Sequence, residues 1–104
     1  MKRIIWTDEA REDLDAIYKF YAEKNETAAV RIYNEILEEA DILITFPEIA
    51  AQELLLEGME FIFRSLVTHS GIYKIIYFID KANVVITHVW DCRKNPASLP
   101  KRTF

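Results

Sequence analysis

The spacing of apolar residues changes once along this chain, and that change limits the folds open to it. Ala10, Leu14, Ile17, Tyr18 and Tyr21 recur at steps of three and four, and so do Ala29, Ile32, Tyr33, Ile36, Leu37, Ala40 and Leu43. Each set is one stripe of an amphipathic helix. From residue 60 the stripes give way to short runs rich in β-branched and aromatic residues. These are 60–66 (EFIFRSL), 72–79 (IYKIIYFI) and 84–90 (VVITHVW), and they read as strands. Helices grouped before a meander of strands predict an α+β layer fold, with the helices on one face of the sheet.

Local signals mark the joints. Residues 3–7 (RIIWT) form a short first strand. Thr7 is placed to cap a first helix over roughly 8–24, with Asp8 and Glu9 in the turn where the helix dipole favours acids. Lys24-Asn25-Glu26-Thr27 is a polar break, and Thr27 can cap the second helix, which Pro47 ends. So short a break predicts an antiparallel helical hairpin. Residues 48–59 read as a short turn or irregular connection. Residues 67–71 form a turn in which Gly71 is free to take positive φ. Residues 80–83 form a tight hairpin loop, with Asn83 suited to the left-handed region. The tail, 91–104, holds Pro96 and Pro100 and reads as extended or loosely turned.

The chain has 104 residues, which predicts one domain over 1–104. Half of the residues, 51%, are hydrophobic, enough to offset the entropy of folding. Cys92 is the one cysteine, so no intrachain disulfide and no cysteine zinc site can form, and a reducing cytoplasm fits best. The start, MKRIIWTDEA, lacks the apolar run of a signal peptide. No stretch approaches the ~20 apolar residues of a membrane helix.

The net charge of −4 hides an asymmetry. Residues 8–57 carry 14 acids and 4 bases, whereas residues 58–104 carry 7 bases and 3 acids. The acidic whole argues against general nucleic-acid binding, but the last third can still present a basic surface.

Three segments, in order, resemble the RelE/ParE toxin family, whose members are also called plasmid stabilisation proteins. The first is Trp6-Thr7 with Ala10, Leu14, Ile17 and Tyr21. The second is Arg64-Ser65-Leu66 followed by Tyr73-Lys74-Ile75-Ile76-Tyr77. The third is the strand 84–89 running into Asp91-Cys92-Arg93-Lys94-Asn95-Pro96. The ending VWDCRKNP is most similar to ParE-like members. The resemblance implies an N-terminal strand, an antiparallel helical hairpin and an antiparallel meander. It also implies the toxin half of a type II toxin–antitoxin system, with a cognate antitoxin laid across its active surface. Two targets follow. ParE-like members inhibit DNA gyrase and have no known hydrolytic site, whereas RelE-like members cleave mRNA in the ribosome. An inactive interaction module derived from a toxin is a third reading.

Metal-independent RNA cleavage needs a base, cations for the phosphate and an acid for the leaving oxygen. By the resemblance, Lys74 stands where RelE-like enzymes carry an arginine, Arg64 lies near their lysine-bearing strand, and Arg93 is close to their last basic position. Glu60, Phe61, Ile62 and Phe63 replace the paired lysines, and no tyrosine follows Arg93; Ser98, Thr103 and Phe104 do. The ribonuclease set is incomplete, which favours the ParE-like reading. His88 shares a strand face with Val84, Ile86 and Trp90; it offers acid–base chemistry, although a half-buried structural histidine is commoner. Arg64 can contact a target or pair with Asp91 or Glu60. His69 falls in a turn, no metal spacing joins the histidines to carboxylates, and no cofactor is expected. Cys92 reads as structural, and Tyr18, Tyr21 and Tyr33 as core.

Alternation along 72–79 puts Ile72, Lys74, Ile76 and Phe78 on one face and Tyr73, Ile75, Tyr77 and Ile79 on the other. Lys74 is costly to bury under the helices, so its face is the one they leave open. That face, with Arg93 and Lys94 of a basic tail that runs on to Lys101 and Arg102, is the expected partner-binding surface, unless the tail covers it. A homodimer is compatible with such a surface.

Overall fold

A computed structural model describes residues 1–99. Strand β1 (Arg3–Trp6) leads into helix α1 (Asp8–Ala22), which is followed by helix α2 (Glu26–Thr45). Then come a two-residue strand β2 (Ala51–Gln52), a 3-10 turn (Leu54–Leu56), and strands β3 (Arg64–Val67), β4 (Tyr73–Asp80) and β5 (Asn83–Asp91). A second 3-10 turn spans Pro96–Ser98. The five strands form one mixed sheet in the order β1-β5-β4-β3-β2. β1 runs parallel to β5, and the remaining pairs are antiparallel. The expected α+β architecture therefore holds, with two additions: β1 joins the far edge of the meander, and β2 extends the other edge.

The helix ends follow from capping chemistry. The Thr7 hydroxyl accepts from Ala10 N–H at 3.2 Å, and Asp8 and Glu9 occupy the first turn of α1. The second cap is Asn25, not Thr27: its side chain accepts from Ala28 N–H at 3.1 Å. Asn25 has the extended backbone a cap needs, whereas Thr27 already lies inside the first helical turn. At the β4–β5 hairpin the left-handed residue is Lys81, with φ 55°, rather than Asn83, which pairs with Asp80 as the first residue of β5. Gly71 does take positive φ, 77°, in the β3–β4 turn. Two glutamates of α2 hold that turn: Glu39 accepts from His69 N–H and Glu35 from Ser70 N–H, at 3.2 and 2.8 Å.

The core between helices and sheet gathers Ala10, Leu14, Ile36, Ala40 and Leu43 against Tyr73, Ile75, Tyr77, Val84, Ile86 and Val89. Alternation along β4 thus places its residues as the sequence predicts: Tyr73, Ile75 and Tyr77 face the helices, and Ile76 and Phe78 face away. The face turned away is not bare. Leu56, Phe63 and Leu99 pack on Ile76 and Phe78, with Met59, Phe61, Val85 and Trp90 around them. Phe61 stacks on Phe78 at a centroid distance of 4.0 Å, and Phe63 meets it edge-on at 5.4 Å. Residues 60–63 are not strand, as the sequence suggested, but part of this cover. The expectation of an open apolar face at Ile76 and Phe78 is thereby overturned: the chain fills it with its own residues. Ile72, which precedes β4, packs against the helix-side core instead.

Candidate functional site

β5 carries the irregularity that arranges the site. Tyr77 pairs with Ile86 and Ile76 pairs with His88, so Thr87 is an extra residue in β5. This bulge shifts the alternation by one. Val84, Ile86 and Val89 face the helices, whereas Val85, His88 and Trp90 face away. His88 therefore does not share a face with Val84 and Ile86, as uninterrupted alternation predicts. It is buried beside Ile76, and its Nδ1 lies 3.0 Å from the Thr87 hydroxyl.

The bulge also ends the pairing with β1. Thr7 N–H donates to Ile86 C=O at 3.0 Å, and the Thr7 hydroxyl donates to Thr87 C=O at 3.3 Å. Beyond that point no strand among the described residues lies beside the outer edge of β5. Asp13 of α1 takes the next backbone donor, accepting from Val89 N–H at 3.0 Å. Desolvation raises the Asp13 carboxyl above its ordinary value, and the Val89 N–H and the positive charge of Lys94 oppose that rise.

A groove of about 300 Å³ opens at this edge. Asp13, Ala16, Ile17 and Phe20 of α1 form one wall, and Tyr73, Val89, Trp90 and Asp91 form the floor. Arg93 and Lys94 make the rim. The Tyr73 hydroxyl donates to that of Tyr21 at 3.3 Å, and desolvation raises its pKa. Arg93 grips Asp91 through Nε and Nη2 at 3.0 and 2.9 Å, while its backbone N–H reaches the same carboxylate at 2.9 Å. This pairing holds Asp91 below the ordinary carboxylate range. Lys94 Nζ lies 5.9 Å from the Trp90 ring centroid, and Phe20 in the α1 wall is 52% exposed. The groove combines an apolar lining, a basic rim and one desolvated carboxylate.

The four candidate catalytic residues are not brought together. Arg64, paired with Tyr77 in the β3–β4 ladder, belongs to the helix side. Its guanidinium meets neither Asp91 nor Glu60: it donates to Ala50 C=O at 2.7 Å and Glu48 C=O at 3.5 Å. The Tyr77 hydroxyl donates to Pro47 C=O at 2.6 Å, so both side chains pin the segment after α2. Lys74 lies on the opposite side of the sheet, beside Trp90, in an ion pair with Glu53. His88 shares that side but is buried, and Arg93 rims the groove at the edge of β5 remote from Arg64. Of the expected partner-binding residues, Arg93 and Lys94 are exposed, Lys74 is half-buried, and Ile76 and Phe78 are covered. Cys92 is exposed, yet desolvation pushes its thiol pKa up, so it stays protonated at neutral pH. Lys101, Arg102, Thr103 and Phe104 lie outside the described residues.

The sequence reading missed the groove. Asp13 offered the only signal, an acid one residue before buried Leu14 on α1, and it means nothing until β5 lies beside it. Among the described residues no group of three or more His, Cys, Asp or Glu side chains could hold a metal, and no helix is long and apolar enough to cross a membrane.

A helical hairpin over a small mixed sheet, with a groove at a strand edge left unpaired among the described residues, defines a small α+β protein. The family model described as "ParE toxin of type II toxin-antitoxin system, parDE" matches residues 4–96, and the chain belongs to that family. Among solved structures it is similar to a chain titled "Chromosomal ParDE TA system from P. aeruginosa", at a TM-score of 0.74 and 22% identity over 88% of this chain and 96% of that one. No curated protein matches it. The sequence-level resemblance to RelE/ParE toxins is thereby upheld.

Proposed function

We propose that this ParE-family toxin acts by binding DNA gyrase in the cytoplasm, and that a cognate antitoxin neutralises it by laying a segment into the groove between α1 and β5. One observation carries the choice of binding over cleavage. The cations that would act on a phosphate are dispersed over two sides of the sheet, and each is engaged in holding the fold: Arg64 on backbone carbonyls, Lys74 on Glu53, Arg93 on Asp91. Phosphodiester cleavage needs such groups converging on one phosphate.

The groove supports the antitoxin half of the reading. Its apolar lining accepts aliphatic or aromatic anchors, and its Arg93–Lys94 rim suits a partner segment carrying acids. A type II antitoxin from the parDE group, the assembly named for the similar solved structure, is the partner of that chemistry.

The test is a supercoiling assay with purified gyrase and the purified chain, beside a translation reaction in which mRNA is mapped for cuts. The reading expects gyrase inhibition that the antitoxin reverses, with intact mRNA. Cut mRNA with unaffected gyrase would instead establish the ribonuclease.

A further inference from the structure

A second surface, at the far edge of the sheet from the groove, is acidic and apolar. The segment 46–62 (FPEIAAQELLLEGMEFI) holds four glutamates and no lysine, arginine or histidine. Lys74 neutralises Glu53, and Glu48, Glu57 and Glu60 are exposed. The same segment holds large apolar side chains in water: Leu54 is 68% exposed, Ile62 65%, Phe46 60% and Ile49 59%. Single exposed apolar residues are ordinary, but several within one short segment mark an interaction surface.

The backbone that carries them is fixed. Glu53 N–H donates to Phe63 C=O at 2.7 Å, so Leu54 and Ile62 flank one hydrogen-bonded joint. Leu56 and Phe63 are buried beneath, and Arg64 and Tyr77 hold Ala50 and Pro47. Side chains presented on a held backbone lose less freedom on binding than those of a loose loop. β2 is also the outermost strand of the sheet at this edge.

Charge selects the occupant. An acidic apolar surface repels nucleic acid and anionic lipid. A second copy would bring the same three glutamates against their equals, which is unfavourable in a two-fold interface. We infer that the surface carrying Leu54 and Ile62 together with Glu57 and Glu60 docks a protein segment in which lysines or arginines interleave with large aliphatic residues. The chain can then hold two protein partners at opposite edges of its sheet. This inference does not depend on gyrase being the target.

A fluorescent lysine–leucine amphipathic helical peptide and its glutamate–leucine counterpart serve as probes, with affinity for the full chain read by anisotropy. The lysine–leucine peptide should bind at least about tenfold more tightly than its counterpart. Leu54→Asp with Ile62→Asp, and separately Glu57→Lys with Glu60→Lys, should each weaken it about tenfold or more. Glu12→Lys with Glu38→Lys, on the exposed faces of the helices, should leave it within about threefold. The substituted positions are exposed, and unchanged circular dichroism melts confirm folding. Equal binding of the two peptides, indifference to the Leu54 and Ile62 changes, or equal loss with the helix changes would each overturn the inference. So would a dimer in sedimentation equilibrium that the Leu54 and Ile62 changes dissolve.

Discussion

Lys74 of β4 and Glu53, just before the first 3-10 turn, form an ion pair with 15% and 8% of their side chains exposed. The pair fastens the 53–63 cover over the sheet face that the helices leave free. Removing one partner strands a charge in a site largely closed to water. Lys74→Ala should therefore lower stability by about 3 kcal/mol. Replacing both, as Lys74→Met with Glu53→Leu, should restore stability to the original or above, because the site then holds apolar groups of similar volume. Urea titrations of the parent and the two variants test both expectations. A Lys74→Ala protein as stable as the parent would show that the pair holds nothing.

Asp13 stands in for a missing strand. Asp13→Ala leaves Val89 N–H without its acceptor at a partly buried edge, which should cost about 1–3 kcal/mol. Asp13→Asn keeps an oxygen at the same place and should cost less. Hydrogen exchange at Val89 gives the local reading: its protection should fall sharply in Asp13→Ala and remain substantial in Asp13→Asn. Unchanged protection in both would mean that the carboxylate does not hold the edge.

Two carboxylates give opposite pH dependences. The Asp13 pKa is raised in the folded state, so the native protein binds that proton more tightly than the unfolded chain. Its contribution is fully favourable below the ordinary value of 3.8 and declines as pH rises from there through the raised folded value. The Asp91 pKa is lowered by Arg93, so its contribution is present above 3.8 and lost as pH falls through the lowered folded value. Relative to the parent, Asp13→Asn should gain stability as pH rises past 3.8, and Asp91→Asn should gain as pH falls below it. Denaturant midpoints across the acid range test both signs, and parallel curves would refute them.

Thr87 is the extra residue of the bulge in β5. Deleting Thr87 would remove the bulge and leave plain alternation in which Ile86 and Val89 still face the helices and His88 still faces away, because Tyr77 and Ile76 keep Ile86 and His88 as partners. The shortened chain should therefore still melt cooperatively. A shortened chain that no longer melts as one transition would show that the strand pairing needs the extra residue.

Arg93 and Lys94 rim the proposed antitoxin groove. Arg93→Ala with Lys94→Ala should weaken the antitoxin by about tenfold or more while leaving gyrase inhibition in place, with a shallower salt dependence of binding. Calorimetry at two ionic strengths measures it. An affinity unchanged in both salts would remove the groove from the interface.

The order of elements, the helix stripes and the first cap at Thr7 follow from local spacing, so the sequence alone determined them. The same holds for β4: parity within one strand is a property of consecutive residues, and Lys74, Ile76 and Phe78 do turn away from the helices. The family was also legible, because its motifs lie in runs of neighbouring residues. What covers Ile76 and Phe78, what Lys74 binds, and which way His88 points were decided only in the tertiary structure. The cover comes from residues 53–63 and Leu99, distant in sequence and without strand periodicity. The bulge exists only as a relation between β4 and β5, so no window on β5 alone reveals it. The groove forms because β1 ends at Trp6 while β5 continues to Asp91, and that mismatch in length appears only when the first strand lies beside the last.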